Sequence, residues 1–293
     1  MGDIGALRQD LRRLGRVVVA FSSGADSSLL AFLANDVLGP HGAVAVTAVS
    51  ASLARSELAD CRALAREWGL NYREVTSREA DRPGYVTNGR DRCWYCKDEL
   101  MRCLVPVAAA FGRAGAEEPG DARSSRSAGA QIVLGVNLDD LSDHRPGQAA
   151  ARDAGAVFPL VEAGFTKADV REVSRSLGLR TWDKPAAACL ASRLPYGTPV
   201  SLGVLGAVER AEAGLAGLGF RASRVRHYGE LARIEHPLAD IERAVACRQQ
   251  VVRAVQAAGY RYVTLDLEGL RSGNLNGAQP ANEPVRADQE MAI

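Results

Sequence analysis

Aromatic residues are scarce in this chain, at 5% of 293 positions, and no stretch has the roughly 20 uninterrupted apolar residues of a membrane span. Charge of one sign is also missing, because 36 Lys and Arg face 35 Asp and Glu. The overall charge therefore indicates neither nucleic acid nor an anionic membrane as a partner. The amino-terminal stretch is charged and amphipathic, unlike a secretion signal, so we expect a cytoplasmic protein.

Cysteine is the next scarce residue. Six cysteines are too few for a disulfide scaffold, and a cytoplasmic chain keeps its thiols reduced. They must therefore be core residues, nucleophiles or metal ligands. For three in helical patterns among Ala, Leu and Val we expect burial as small apolar side chains: Cys61, Cys103 and Cys247. The other three are Cys93, Cys96 and Cys189.

Apolar sequence is abundant, at 47% of the chain, which is enough for one large domain or two ordinary ones. Short apolar runs alternate with helical patterns in the first part. The strand-like runs cover residues 16–21, 43–50, 72–77 and 131–137. This alternation predicts a parallel sheet with helices on both faces, an α/β fold.

The pattern changes in the last third of the chain. Helical patterns at 200–217 and 238–258 surround two strand-like runs, which predicts a smaller α+β domain. We therefore expect an α/β domain over residues 1–185 and an α+β domain over 186–272. Composition further predicts a flexible insertion at about 113–130 and a disordered tail at 273–293.

The motif SSGADSS follows the first predicted strand and opens a helix. Such a turn directs several backbone N–H groups and the positive end of the helix dipole to one spot, which suits a phosphate. It lacks the lysine of a Walker A loop and the glycines of a dinucleotide fingerprint. The alternative is a serine N-cap with Asp26 in the first helical turn for the dipole.

The segment VAFSSGADSSLL resembles the SGGxDS loop of the ATP pyrophosphatase (PP-loop) superfamily, whose members cleave ATP between the α and β phosphates and adenylate a substrate. The resemblance assigns a catalytic role to Asp26 and ATP binding to Ser22, Ser23, Gly24, Asp26 and Ser27. The superfamily usually has glycine at the position of Ser23. If the backbone there has a positive φ, a serine costs about 1 kcal/mol and weakens pyrophosphate binding.

Five further segments between residues 91 and 273 resemble one branch of that superfamily, the LarE family of ATP-dependent sulfur transferases. They are DRCWYCKDEL, GVNLDDLSDHRPG, EAGFTKADVREVSRSLGL, TWDKPAAACLASRLPYGT and YVTLDLEGLRSG. The resemblance implies a Rossmann-like PP-loop domain with a sulfur-transferase carboxyl-terminal domain. It also implies conversion of pyridinium-3,5-biscarboxylic acid mononucleotide to its thiocarboxylate form, in nickel-pincer nucleotide biosynthesis, with ATP and Mg²⁺.

Cys93 and Cys96 form a C-x-x-C pair in a helical stretch, which suits a disulfide, half of a zinc site, or two corners of an iron–sulfur cluster. A structural zinc site would need a second cysteine pair, and the sequence contains none, so zinc is the less favoured of these sites. The LarE resemblance offers two subtypes, one with a sacrificial cysteine that becomes dehydroalanine and one with a [4Fe-4S] cluster on three cysteines. The sacrificial position aligns with Ala188, which has no sulfur. The resemblance therefore favours a cluster on Cys93, Cys96 and Cys189, with a self-sacrificing Cys189 as the alternative.

Acidic residues follow the predicted strand at 131–137. Asp139 and Asp140 would then lie at the carboxyl edge of the sheet, where carboxylates can hold Mg²⁺, and Arg145 suits a phosphate. The alternative is a solvated Asp-rich turn that caps a helix.

Arg224 and Arg226 lie two residues apart on a predicted strand, hence on one side of it, and their guanidinium groups suit a phosphate or a carboxylate. A solvated strand face is the alternative. The LarE resemblance assigns the substrate phosphate to these arginines and a divalent cation to Glu212, Glu235 and Ser192.

The sequence is also compatible with other classes of protein. A PP-loop amide synthetase of the GMP or NAD synthetase kind would need no cysteine triad, and a tRNA-thiolating PP-loop enzyme would favour a basic surface. A nucleotide-binding sensor is the alternative without catalysis. As partners we expect the mononucleotide, a protein that donates sulfide, and further copies of the chain, but neither a membrane nor nucleic acid.

Overall fold

The computed structural model describes residues 2–113, 129–141, 146–185 and 188–271. The expected insertion lies almost wholly outside these ranges, and the expected tail lies entirely outside them. Within the described ranges, no helix is long and apolar enough to cross a membrane.

Two compact units make up the chain, Met1–Glu209 and a second that begins at Arg210. We expected the second domain to begin at residue 186. The stretch after Cys189 belongs to the first unit instead, because its apolar side chains pack around the fully buried Tyr85. These side chains are Leu190, Ala191, Leu194, Val200, Leu205 and Val208.

The first unit contains four strands and most of the helices. Its strands are β1 (Val17–Ala20), β2 (Ala43–Val49), β3 (Tyr72–Thr76) and β4 (Gln131–Leu134). Its helices are α1 (Ile4–Leu14), α2 (Ala25–Gly42), α3 (Arg55–Glu67), α4 (Pro83–Val86), α5 (Arg92–Arg113), α6 (Pro146–Asp153), α7 (Pro159–Glu162) and α8 (Lys167–Ser176). Helix α9 (Leu202–Gly217) follows at the unit boundary.

All four strands of this unit are parallel, in the order β3-β2-β1-β4. Alternate residues of β1 enter different cores: Val17 and Val19 pack with helices α1 and α2, whereas Val18 packs with α5. The sheet is therefore covered by helices on both faces, which confirms the predicted α/β fold.

The second unit contains a three-stranded sheet of β5 (Arg224–Tyr228), β6 (Leu231–Glu235) and β7 (Tyr262–Leu265). Strands β5 and β6 are antiparallel, and β7 is parallel to β6. The single helix expected at 238–258 is wrong. The chain forms α10 (Ile241–Ala246) and α11 (Arg248–Ala257), because Cys247 leaves the helical conformation with φ −103° and ψ 26°.

Candidate functional site

The loop between β1 and α2 lies at the carboxyl edge of the parallel sheet. The N-cap of α2 is Gly24, whose conformation is extended and which makes no side-chain cap hydrogen bond. The interpretation of a serine N-cap is therefore wrong. The hydroxyl of Ser27 instead folds back, donating to the Gly24 carbonyl at 3.2 Å and accepting from the Ser22 N–H at 3.3 Å. The backbone N–H groups at this helix start remain suited to an anion.

Ser23 has a φ of +55° and is fully buried. We expected strain at position 23 if the backbone there had a positive φ. The structure shows this positive φ at a serine, where the superfamily usually has glycine. A left-handed conformation at a non-glycine residue is strained and persists only where the surroundings enforce it.

Asp26 does more than complement the helix dipole. Its Oδ2 accepts a hydrogen bond from Lys167 Nζ at 2.5 Å, and its Oδ1 accepts one from Asn137 Nδ2 at 3.0 Å. These partners lie 141 and 111 positions away in sequence. The aspartate therefore ties α2 to α8 and to the loop after β4.

Asp139 and Asp140 gather at the same point. The Lys167 backbone N–H donates to Asp139 Oδ2 at 2.8 Å, and the Asn137 N–H donates to Asp140 Oδ2 at 3.2 Å. Asp26, Asp139 and Asp140 thus each accept a hydrogen bond from Asn137 or Lys167 beside the loop, and the Lys167 ammonium group lies on Asp26. Sequence reasoning missed Lys167, although it lies in the segment EAGFTKADV that carried part of the resemblance. Arg145 lies outside the described residues.

A cavity of about 340 Å³ opens beside this loop in the first unit. Ser22 and Ser27 of the loop line it, and so do Cys96 of α5 and Cys189. The sequence predicted a phosphate loop and reactive cysteines separately, and the structure brings both to one cavity. A phosphate ester and a sulfur atom can therefore be held side by side.

Cys96 and Cys189 are close enough to influence each other. Burial raises the pKa of the Cys96 thiol, the neighbouring Cys189 adds to the effect, and the resulting pKa is about 12. Cys96 is therefore a neutral thiol at neutral pH. Cys93 also acts on Cys96 electrostatically but is itself exposed. Within the described ranges no three His, Cys, Asp or Glu side chains are grouped tightly enough to hold a metal ion.

A buried polar contact joins the two cysteine-bearing segments. Asn88 donates from Nδ2 to the carbonyls of Pro195 at 2.8 Å and Thr198 at 2.9 Å. Arg92 donates from Nη1 to Asn88 Oδ1 at 2.5 Å and to the Ala191 carbonyl at 2.8 Å. Because Arg92 precedes Cys93 and Ala191 follows Cys189, these bonds hold the C-x-x-C helix against the turn that carries the third cysteine.

The same cavity contains a buried carboxylate that sequence reasoning also missed. Glu79 is 2% exposed and lines the cavity with Cys96. It accepts hydrogen bonds from the hydroxyls of Ser52, at 2.8 Å, and Ser77. No sequence motif marked it, because one of its partners, Ser52, lies 27 positions away in sequence.

The predicted phosphate-binding arginines lie on β5 in the second unit. Arg226 is buried and donates to Glu235 Oε2 at 2.8 Å, so its guanidinium group is committed to an ion pair in this structure. Glu235 also pairs with Arg233 at 3.0 Å, and Glu212 accepts from the Val225 N–H at 2.9 Å. These residues form a charged network within the unit.

Ser192, which the resemblance grouped with Glu212 and Glu235, belongs to the first unit. Its hydroxyl accepts from Arg193 Nη1 at 3.1 Å. The tryptophans near the cysteines, Trp94 and Trp182, are each 38% exposed. The other cysteines differ in burial, since Cys61 is buried, as predicted, whereas Cys103 and Cys247 are half-buried.

Comparison with known proteins identifies relatives along nearly the whole chain. The NAD synthase family model matches residues 6–83, which include the loop and α2. An uncharacterized protein of Synechocystis is 43% identical over 92% of this chain and 95% of its own length. An uncharacterized protein of Methanocaldococcus jannaschii is 23% identical over 88% of this chain and 91% of its own length.

A third relative has a named activity. The pyridinium-3,5-bisthiocarboxylic acid mononucleotide synthase of Lactiplantibacillus plantarum is 38% identical over 91% of both chains. This identity and coverage confirm the resemblance that the motifs indicated. The loop after β1 and the parallel sheet that carries it point to the same family as this relative does. The chain belongs to the LarE family of ATP-dependent sulfur transferases within the PP-loop superfamily.

Proposed function

We propose that the protein uses ATP to adenylate a carboxylate of pyridinium-3,5-biscarboxylic acid mononucleotide and then replaces an oxygen of that carboxylate by sulfur. The observation that carries the proposal is the cavity lined both by Ser22 and Ser27 of the ATP loop and by Cys96 and Cys189. An amide synthetase needs the loop but has no use for two thiols at the same cavity.

Adenylation solves a chemical difficulty. A carboxylate resists nucleophiles because oxide is a poor leaving group. Attack of a carboxylate oxygen on the α-phosphorus of ATP releases pyrophosphate and makes AMP the leaving group. Backbone N–H groups at the start of α2 stabilise the departing pyrophosphate, and Lys167 supplies a cation beside them.

The donor chemistry beside the loop fits Mg²⁺. Asp26 accepts from the Lys167 side chain and Asp139 from the Lys167 backbone N–H, so both carboxylates offer hard oxygen ligands beside the loop. These carboxylates would hold the ion jointly with pyrophosphate oxygens, and the ion would supply positive charge to the leaving group.

The sulfur step belongs to the cysteines. Attack of a sulfur nucleophile on the acyl adenylate expels AMP and leaves a thiocarboxylate. The thiols of Cys93, Cys96 and Cys189 match the ligand chemistry of a [4Fe-4S] cluster, which would supply an iron open to sulfide. To complete that ligand set, the exposed Cys93 would turn toward the other two. Asn88 and Arg92 keep the segments of all three together.

The experiment measures pyrophosphate release and thiocarboxylate formation with the mononucleotide and ATP, under anaerobic conditions with sulfide. The intact wild-type enzyme should turn over repeatedly with an unchanged mass. Ammonia should not replace sulfide. Formation of an amide, or absence of pyrophosphate release with the mononucleotide, would overturn the proposed function.

The source of the sulfur is tested by variants. If the three cysteines hold a cluster, Cys93→Ala, Cys96→Ala and Cys189→Ala should each lose most iron and sulfide, since two thiolates seldom retain a cubane. Cys103→Ala, on the same helix α5, is the matched control and should keep both. If Cys189 instead gives up its own sulfur, one turnover should remove about 34 Da as H₂S from that residue alone.

A further inference from the structure

The fully buried Ser23 is held in its left-handed conformation by a charged network. Its hydroxyl donates to Glu57 Oε2 at 3.2 Å and accepts from Lys184 Nζ at 3.0 Å. Lys184 also donates to Glu57 Oε2 at 2.9 Å and to Asp60 Oδ2 at 2.8 Å. An ammonium group has three donor hydrogens, so these contacts use all of them. We call Ser23, Lys184, Glu57 and Asp60 the serine clasp.

The charge balance of the serine clasp shows what Lys184 can do. Two carboxylates face one ammonium group, so the clasp as a whole is anionic and does not attract phosphate. Burial lowers the pKa of Lys184, but the bonds with Asp60 and Glu57 outweigh it and leave the pKa above its ordinary value. Lys184 therefore stays charged and engaged. A direct role on the ATP phosphates would require it to leave two carboxylates.

The location of Ser23 gives the clasp a consequence for binding. Ser23 lies between Ser22, whose N–H is bound to Ser27, and Gly24, the N-cap of α2. Its φ therefore sets the direction of the peptide groups that face an anion at this helix start. A serine favours this conformation less than glycine does, so without the clasp the loop would relax toward other conformations.

We propose that the serine clasp substitutes for the missing glycine: Lys184 is a positioning residue that holds Ser23 in the left-handed conformation in which the loop binds pyrophosphate. The proposal deepens the proposed function and rests on its assignment of the pyrophosphate to this loop. It makes Lys184 part of ATP binding without contact to ATP.

The test measures the Kd of inorganic pyrophosphate and of AMP, with the melting temperature, in single and combined variants of the full chain. Ser23→Ala and Lys184→Met should each raise the pyrophosphate Kd about tenfold, a factor that corresponds to 1.4 kcal/mol. The AMP Kd should change less than about twofold, because the loop is assigned to the other end of ATP. Arg180→Met, which removes an exposed ion pair with Glu67 nearby in sequence, is the matched control and should change neither.

Glycine provides the decisive comparison. Ser23→Gly should restore pyrophosphate affinity to within about threefold of wild type, because glycine adopts positive φ without a clasp. In the Ser23→Gly background, Lys184→Met should have little further effect on the pyrophosphate Kd. Ser23→Ala removes one oxygen and leaves the ion pairs of Lys184, so it reports on the clasp even if Lys184→Met does not fold.

Different failures have different meanings. If Lys184→Met weakens pyrophosphate binding equally with serine or glycine at position 23, Lys184 acts on the anion directly and the clasp is overturned. Wild-type affinity in Ser23→Ala would also overturn it. Wild-type enzyme that does not bind pyrophosphate would instead overturn the assignment of the loop, and the proposed function with it.

Discussion

Two regions can be compared: the loop between β1 and α2, which we call the ATP loop, and the two segments that carry Cys96 and Cys189, which we call the cysteine end of the cavity. Both hold a non-glycine residue in a left-handed backbone conformation, but with different chemistry. Each contains a buried non-glycine residue with a φ of +55°, Ser23 in the loop and Asn88 before the C-x-x-C helix. Ser23 is held by charged side chains, whereas Asn88 binds mainly backbone carbonyls and Arg92. Asparagine tolerates positive φ far better than serine. The loop therefore depends on its partners more than the cysteine end does.

The two ends also differ in how a ligand would affect them. In the loop region, Lys167 and Asp26 neutralise each other, and an arriving phosphate or cation would exchange partners with them. At the cysteine end, Arg92 and Asn88 bind the main chain of the opposite segment, and the Arg92 guanidinium group also interacts with the side chains of Cys93 and Cys189. We therefore expect ligand binding to change the contacts of the loop region and to leave the main-chain bonds of the cysteine end in place.

The largest expected effect concerns the loop region alone. Asp26→Ala should lower ATP-dependent pyrophosphate release by about 100-fold or more, because it removes a carboxylate that holds Lys167 and is assigned to the metal. Alkylation of Cys96 and Cys189 by iodoacetamide should stay at the wild-type rate. Asp36→Ala, an exposed position on the same helix α2, is the control. Pyrophosphate release at the wild-type rate in Asp26→Ala would refute a catalytic role for this residue.

Arg92→Met should show the opposite pattern. Removing the guanidinium group leaves the Asn88 and Ala191 oxygens without this donor, so thiocarboxylate formation should fall about tenfold or more. Pyrophosphate release should stay within about threefold of wild type. Arg102→Met, an exposed residue of the same helix α5, should leave both unchanged. Equal loss of both activities would mean that the two ends are not separable.

Asn88 allows the strain and the hydrogen bonds to be measured separately. Asn88→Ala should lower the free energy of unfolding in urea by about 2 to 4 kcal/mol, because it loses three hydrogen bonds of the buried Asn88 side chain and keeps the positive φ. Asn88→Gly loses the same bonds without the strain and should recover about 1 kcal/mol of that. If the two variants are equally stable, the backbone at this position is not strained.

The smallest effect is expected for a replacement of residues 114–128, which lie within the flexible insertion that we predicted from composition at about 113–130. A Cβ added at Gly112 would lie 2.4 Å from the Gly129 Cα, so the two ends of the segment are adjacent. A short Gly–Ser linker in place of residues 114–128 should therefore shift the melting temperature by less than about 4 °C. A larger fall, measured by calorimetry, would show that this segment packs on the domain.

Much of the fold could be predicted from the sequence because strands, turns and helix starts are marked by residues that lie close together in the chain. The β-branched runs and the Gly/Ser-rich turn predicted β1 and the start of α2, and the serine in place of the usual glycine indicated where a positive φ would be strained. Lys167 and Lys184 were missed because their bonds to the loop join residues 141 and 161 positions apart. Nothing in the local sequence of a lysine indicates such a partner. The grouping of Cys189 with the C-x-x-C pair came from the family resemblance alone.

The pairing of β1 with β4 bears on synthesis of the chain. Val17 is in register with Gln131, and the residues that bind the loop from outside, Asn137, Lys167 and Lys184, are translated later still. Domains generally begin to fold from the amino terminus as they leave the ribosome. A nascent chain that has released only the first three strands therefore carries the loop with Glu57 but without Asn137, Lys167 and Lys184. If Lys184 positions Ser23 as proposed, the loop reaches its full affinity for pyrophosphate only after the chain through Lys184 has emerged.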